Sequence, residues 1–391
     1  MKIGGTLYFD HQATTPVDEA VIAAMTPFYR EDFGNPHSSD HVLGWKSAQA
    51  VGAAKTSVGN LIGADADEIV LTSGATESNN LAILGVGRKA GSGRRRKILV
   101  SSIDHKSVLA AARSLQKFER FEVEMIPVDR LGVLDLGRLK ELITEQVLMV
   151  SVMAVNNEVG AIQPIDVVSQ LCRECGVLLH CDAAQAPGAI PTENLAKMTD
   201  LLSLSGHKIY GPKGIGALYV RRSIQNQIEP LIYGGGQQDN MRSGTLPTPL
   251  CVGFGTAASI FRGPQIRFIT ESIREKRDLF EQLLRELEWQ TKVNGPASER
   301  RHPCNANLQF PGFMSQDILA ALQPKLAAST GSACTSGITE PSHVLRAMGL
   351  STDEAESSIR FSLGRHTTTS DVIEAVALIG QVLSDLSENL R

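Results

Sequence analysis

Between Glu68 and Val220 the sequence repeats one rhythm: a short apolar run, a stretch with helical spacing, then another apolar run. The runs are EIVLTSG, KILVSS, FEVEMIPV, VLMVSVMAV, VLLHCD, DLLSLS and IGALYV. Helices are expected from about Thr76, from about Lys106, near Leu136 to Thr144 and near Ile165 to Cys175. A chain built this way buries its strands under crossover helices, so the fold class is α/β, a mostly parallel sheet covered on both faces. In such sheets ligands bind at the carboxyl ends of the strands. The residues just after each apolar run are therefore where chemistry is to be sought.

One such end lies in LLSLSGHKIYGPKGIGALYV, from Leu201 to Val220. The apolar run stops at Ser205, Gly206, His207 and Lys208, and a Gly/Pro-rich turn follows, which puts Lys208 where a buried strand meets a loop. A lysine there either caps a strand end at the surface or sits among apolar neighbours. In the second case its ammonium loses hydration, its pKa falls, and the neutral amine can form a Schiff base with an aldehyde. Asp182 closes the run VLLHCD about one crossover unit upstream. A buried carboxylate needs a cation, and the protonated ring nitrogen of pyridoxal 5'-phosphate is one. Asp182 and Lys208 together read as a site for that cofactor.

The rest of the site follows from the same logic. TSGATESNN offers a phosphate cradle, because a strand ends, Gly74 and Ala75 allow close backbone approach, and Thr76 opens a helix whose free N–H groups attract an anion. Ser205, His207 and the hydroxyls of RSGT, Arg242 to Thr245, complete it; Thr76 taken alone is a plain helix cap. His105 follows a strand and either lies against the cofactor ring or serves as a capping or core histidine. Asn156 and Gln185, at or after strand ends, are placed to bond the ring's phenolic oxygen. Arg360, inside the apolar run SSIRFSLG, calls for a carboxylate, either that of an amino-acid substrate or a structural partner. Cys334 sits in AASTGSACTSGITEPS, a run of small residues that leaves a thiol exposed and movable, a loop expected over about residues 329–340. Cys172 and Cys175, three apart in a helical pattern, have no second pair to make a zinc site, and the other cysteines read as small core residues. His37 and His41 stand four apart without an acidic or cysteine partner, so no metal is expected.

Beyond the alternating region the texture changes. A short extended arm, LYFD, precedes a helix expected to begin with Thr15 as cap and Pro16 as first residue and to run to about Tyr29. After Thr248 two helices follow in succession, the second long and charged on one side, then NANLQF as a strand, two short helices, SSIRFSLG as a strand and a closing helix from Thr369. The expected division is a large domain over residues 15–260 and a smaller α+β domain made of residues 1–14 and 261–391. With 391 residues, 42% of them hydrophobic, the chain can bury a sizeable core. A net charge of −4 gives no bulk attraction to nucleic acid or anionic membrane, and no run approaches the length of a membrane span. Without a signal-peptide pattern at MKIGGTLYFD a cytoplasmic protein is expected, its six cysteines held as thiols.

The segments DHQATTP, FGNPHS, TSGATESNN, DHKSV, NNEVG, DAAQ, SGHKIYGPKGIGALYVRR, MRSGT, STGSACTS and IRFSLGR, in this order, resemble the cysteine desulfurases, in particular the class with a long cysteine loop. The resemblance covers nearly the whole chain. It implies the type I aminotransferase fold, with a mostly parallel seven-stranded sheet in the large domain, and a homodimer in which Thr245 reaches the partner's phosphate. It makes Lys208 the cofactor-bearing lysine, Asp182 the ring-nitrogen partner, His105 the stacking residue and Cys334 the nucleophile, with L-cysteine as substrate and alanine as product. A persulfide on Cys334 would pass to an acceptor protein serving iron–sulfur cluster assembly or the thio-modification of tRNA or the DNA backbone. Members that dock an iron–sulfur scaffold commonly continue past the last helix, where this chain stops at ENLR. A selenocysteine lyase or aminotransferase of the same fold, or a non-catalytic scaffold, are the other functions the sequence admits.

Overall fold

A computed structural model describes residues 1–91, 93–331 and 341–389. The alternating region forms a seven-stranded sheet from β1 (Ile69–Thr72), β2 (Lys97–Ser101), β3 (Glu122–Ile126), β4 (Val147–Met153), β5 (Leu178–Asp182), β6 (Leu201–Ser205) and β7 (Gly216–Val220), in the spatial order β1-β7-β6-β5-β4-β2-β3. Only β7 runs against the others. It is reached from β6 through the tight GHKIYGPKG turn, too short for the crossover that a parallel neighbour needs. The expected seven-stranded, mostly parallel sheet is thus what forms.

Alternate residues of these strands feed two apolar cores. Leu71, Leu179, Leu202, Leu204 and Tyr219 pack on one face, while Val70, Ile98, Leu201, Leu218 and Val220 pack on the other. Each fully buried side chain of this size contributes about 1.5–3 kcal/mol. The helix Val42–Ile62 lies against Thr248–Arg262 in the first core, close enough that a Cβ on Gly255 would stand 2.7 Å from Ala54 Cα.

A third core surrounds the strands Lys292–Asn294, Asn305–Gln309 and Ser358–Ser362, an antiparallel sheet flanked by the helices Ile266–Arg285 and Thr369–Asn389. The N-terminal arm joins this part. Its strand Thr6–Tyr8 pairs in parallel with Leu326–Ala327, and Asp10 bridges to Ser362. No helix among the described residues is long and apolar enough to cross a membrane.

Three local expectations shift. The first helix begins at Glu19, not Pro16, with Asp18 as its cap accepting from Ala20 N at 2.7 Å. Thr15 is unavailable as a cap because its hydroxyl donates to His207 O (3.0 Å) and accepts from Tyr210 N (2.9 Å), tying the arm to the Lys208 turn. Pro27 then divides the helix expected to reach Tyr29 into Glu19–Met25 and Pro27–Arg30. His41, weighed above as a metal ligand, caps the helix Val42–Ile62 by accepting from Gly44 N.

Candidate active site

The carboxyl ends of β1, β2, β4, β5 and β6 surround a cavity of about 600 Å³. Lys208 enters it from the single turn Gly206–Lys208 that follows β6. Its Nζ donates to two carbonyls of the arm, Gln12 O at 2.6 Å and Ala13 O at 2.8 Å. Burial, and next the charge of Arg360, bring its pKa down to about 8. The arm therefore supplies acceptors that carry no side-chain signature, which is why sequence reasoning missed residues 12 and 13 as part of the site.

Asp182, only 5% exposed, forms the inner end of the cavity. Its carboxylate accepts from Asn79 Nδ2 at 2.8 Å and from Ala184 N at 3.0 Å, and no lysine or arginine among the described residues pairs with it. Asn79 also donates to Ser107 Oγ, which lies 2.8 Å from His105 Nδ1, so one hydrogen-bonded line fixes both carboxylate and imidazole. His105 faces the cavity and also caps the helix Lys106–Glu119 by accepting from Ser107 N. Desolvation lowers its pKa, keeping the ring neutral near pH 7.

The opposite end is shaped for an anion. The helix Ala75–Ala90 starts at Gly74 with no side-chain cap, leaving its first N–H groups free, and Ala75 and Thr76 line the cavity. Gly74 has φ 148°, and β7 passes so close that a Cβ on Gly216 would lie 2.6 Å from Gly74 Cα. Glu77, in the same first turn, would repel an anion, but Arg242 Nε holds it at 2.8 Å and its other oxygen accepts from Ser73 N. Ser205 and His207 line the cavity here. His207 is pushed down to about 4, first by burial and then by Lys208, and its Nδ1 lies 3.1 Å from Thr14 Oγ1.

Gln185 also lines the cavity, its Nε2 donating to Gln12 O at 3.0 Å. Asn156 does not. It is fully buried, its amide donates to Ile103 O and its Oδ1 accepts from Glu158 N and Val159 N, so it shapes the loop after β4 while its neighbour Asn157 lines the cavity. Thr245 lies outside the cavity, exposed on the surface of the chain. Arg360 lines the cavity but already has a carboxylate, Asp10, at 2.6 Å from Nη2, and it donates to Asn157 O and Ser329 Oγ. Its Nε is buried and unpartnered. Cys334 lies outside the described residues; Gly331, three positions before it, is on the cavity wall.

The sequence matches the family Aminotransferase class-V over residues 7–374. It is 47% identical over 382 residues to a cysteine desulfurase IscS of Rickettsia bellii, covering 98% of this chain and 92% of that protein. It is 46% identical over 385 residues to its counterpart in Rickettsia felis, with the same coverage. The chain belongs to the class-V aminotransferases and, within them, to the cysteine desulfurases.

Solved structures agree with that family. A NifS-like protein superposes with a TM-score of 0.89 at 34% identity, covering 97% of this chain and 99% of its own. SspA in complex with cysteine gives 0.81 at 35% identity, covering 93% and 100%. DndA from Streptomyces lividans gives 0.76 at 35%, covering 93% and 99%. Within a class-V aminotransferase the described cavity suits pyridoxal 5'-phosphate by its donor set: an uncapped helix N-terminus for the phosphate, a cation-free buried carboxylate for the ring nitrogen, and a half-buried amine between them.

Proposed function

We propose that the chain binds pyridoxal 5'-phosphate, takes sulfur from L-cysteine, releases L-alanine and carries the sulfur as a persulfide on Cys334. The observation that carries this reading is that Lys208, Asp182 and an uncapped helix N-terminus line one cavity. Its relatives' names and the cysteine bound to SspA support the choice of substrate.

When bound, the cofactor supplies an electron sink for charge developing at the substrate's Cα. Ala75, Thr76, Ser205 and His207 would hold its phosphate, Asp182 its ring nitrogen, Gln185 and Asn157 its polar edge, and His105 would face the ring. Lys208, with a pKa near 8, both gives and takes a proton near neutral pH and so suits proton transfer at Cα. Arg360 lines the cavity, where its guanidinium would meet the substrate carboxylate while Asp10 keeps it in place. In the net reaction the substrate's C–S bond breaks and an S–S bond to Cys334 forms. The substrate carbon keeps the electron pair and takes up a proton equivalent to the one the Cys334 thiol gives up, yielding alanine, while the transferred terminal sulfur keeps the substrate's own thiol proton.

The working unit in this reading is a cytoplasmic homodimer of two-domain protomers, with the exposed Thr245 offered to the partner's phosphate and an acceptor protein taking the sulfur. The test is twofold. Borohydride treatment and peptide mapping should place a pyridoxyl group on Lys208, and Cys334→Ala should keep the bound cofactor's absorbance while ending alanine release from L-cysteine. A pyridoxyl group elsewhere, or unchanged turnover in Cys334→Ala, overturns the proposal.

A further inference from the structure

Below the cavity a row of polar side chains crosses the sheet, one per strand, in the middle of apolar core. Ser203 Oγ on β6 lies 3.1 Å from His180 Nε2 on β5, and His180 Nδ1 lies 2.8 Å from Ser151 Oγ on β4, its register partner. The Ser151 hydroxyl in turn sits beside the carboxyl of Asp104, in the turn after β2. All four residues are fully buried, and nothing in the proposed reaction uses them.

Asp104 is the anomaly in this row. Its Oδ1 accepts from Met153 N at 2.7 Å, and its Oδ2 is buried with no well-formed hydrogen bond, the Ser151 hydroxyl acting on the carboxyl only from outside good hydrogen-bond geometry. Among the described residues no lysine or arginine is ion-paired with it. The titratable groups around it are His105 next in sequence, His180 along the row, the buried thiol of Cys181 beside His180, His343, whose ring meets Asp104 O at 3.0 Å, and Asp182, which acts on it through space. Asp182 has donors on both oxygens and opens on the cavity, where a cation can meet it. Two carboxylates cannot both stay charged in one buried region with no cation between them, and the one with an empty oxygen is the cheaper to neutralise.

We propose that Asp104 is a neutral carboxylic acid in the folded protein, a positioning residue that leaves the inner end of the cavity with a single anion, Asp182. Desolvation, with Asp182 adding to it, raises the Asp104 pKa well above the carboxylate range, in agreement with the geometry. The neutral acid anchors the end of β4 through Met153 N and holds the turn that carries His105. It also sets the direction of the whole row. With the proton on Asp104 donated towards Ser151, Ser151 donates to His180 Nδ1, and His180, pushed down to about 4 by burial and therefore neutral, carries its proton on Nε2 and donates to Ser203. An ionised Asp104 would reverse every bond and put the His180 proton on Nδ1.

The experiment reads the protein's own groups, with and without cofactor, so its outcome is independent of whether the desulfurase reading holds. Infrared spectroscopy at pH 7 should show a carboxylic C=O band that shifts in heavy water, persists in Asp182→Asn and is lost in Asp104→Asn. Nitrogen NMR of the wild-type chain, which needs no variant, should show His180 as the Nε2–H tautomer. In the loaded protein, the pH midpoint of the bound cofactor's absorbance should not move in Asp104→Asn. Removing a charged neighbour would move it by about one pH unit or more. Absence of the band, the Nδ1–H tautomer, or a midpoint displaced by that amount would each overturn the proposal.

Discussion

The depressed pKa of Lys208 gives a sharp test of the site, because a free amine is what captures an aldehyde. An ordinary lysine titrates near 10.5, and Lys208 is brought to about 8, chiefly by burial and then by Arg360, with Asp10 and Asp182 acting the other way. At pH 7.5 this raises the neutral fraction from about 0.1% to about a quarter, a gain of roughly two hundredfold. The apo chain should be mixed with pyridoxal phosphate at a series of pH values, trapped with borohydride and digested, and the label on Lys208 quantified by mass spectrometry. The trapping rate should climb about tenfold per pH unit up to pH 8 and then level off. Arg360→Gln should move the bend upward, since it removes a repelling cation and leaves the Asp10 carboxylate uncompensated. The same shift has a stability consequence. Between pH 8 and 10.5 the unfolded chain holds a proton on this lysine that the folded chain has released, so its contribution to stability rises with pH through that window. The ceiling is about 3 kcal/mol, reduced because the amine still meets water in the cavity. A Lys208→Met chain compared with wild type over this range should show the difference. A trapping rate that keeps climbing tenfold per unit beyond pH 9.5 would refute the reasoning.

Three further outcomes follow from the packing. Gly216→Ala places a Cβ 2.5 Å from Leu204 O and 2.6 Å from Gly74 Cα, backbone atoms that cannot move aside, so it should cost about 1–3 kcal/mol in denaturant unfolding and weaken cofactor binding through the displaced Gly74 turn. Thr15→Val removes the two bonds that the Thr15 hydroxyl makes to the Lys208 turn, leaving the backbone N–H on His207 O, and should cost about 1–3 kcal/mol. Its signature is a Lys208 trapping profile whose bend moves above pH 8 as water gains access; a profile identical to wild type would show that the arm does not set the amine's environment. Glu281→Ala strands Arg301, 2% exposed and bonded to Glu281 at 2.6 Å, with the fully buried Arg277 beside it. It should cost about 3–5 kcal/mol, measured as a lowered denaturant midpoint.

The sheet was legible because each of its strands is an apolar run ended by polar or glycine residues, and the same punctuation marked Thr76, His105, Asp182, Ser205 and Lys208 as residues at strand ends. What stayed hidden was whatever depends on register or on backbone atoms. Adjacent Asn156 and Asn157 cannot be told apart by type or spacing, and the turn after β4 sends the first into loop hydrogen bonds and the second to the cavity. Thr15 followed by Pro16 satisfies every local rule for a helix start, yet a contact 192 residues away takes its hydroxyl. Asp10 as the partner of Arg360 joins positions 350 apart. His180 and Ser151 look like flaws in apolar strands until pairing sets them side by side.

These long-range ties share one element, the N-terminal arm. It is held by the small sheets through Leu7 paired with Leu326 and through Asp10 bridging to Ser362, two residues beyond Arg360. Over the next few residues it offers Asp10 to Arg360, the carbonyls of Gln12 and Ala13 to Lys208, and Thr14 and Thr15 to the turn around His207. The guanidinium that would meet the substrate carboxylate and the amine that would act at Cα are thus attached to one short strip of chain, although they descend from different sheets. Any shift of the small sheets relative to β6 must stretch that strip, because its contacts on both sides are short and mostly buried. The arm therefore holds Arg360 and Lys208 in one frame, within which the Arg360 charge acts on Lys208 directly through space.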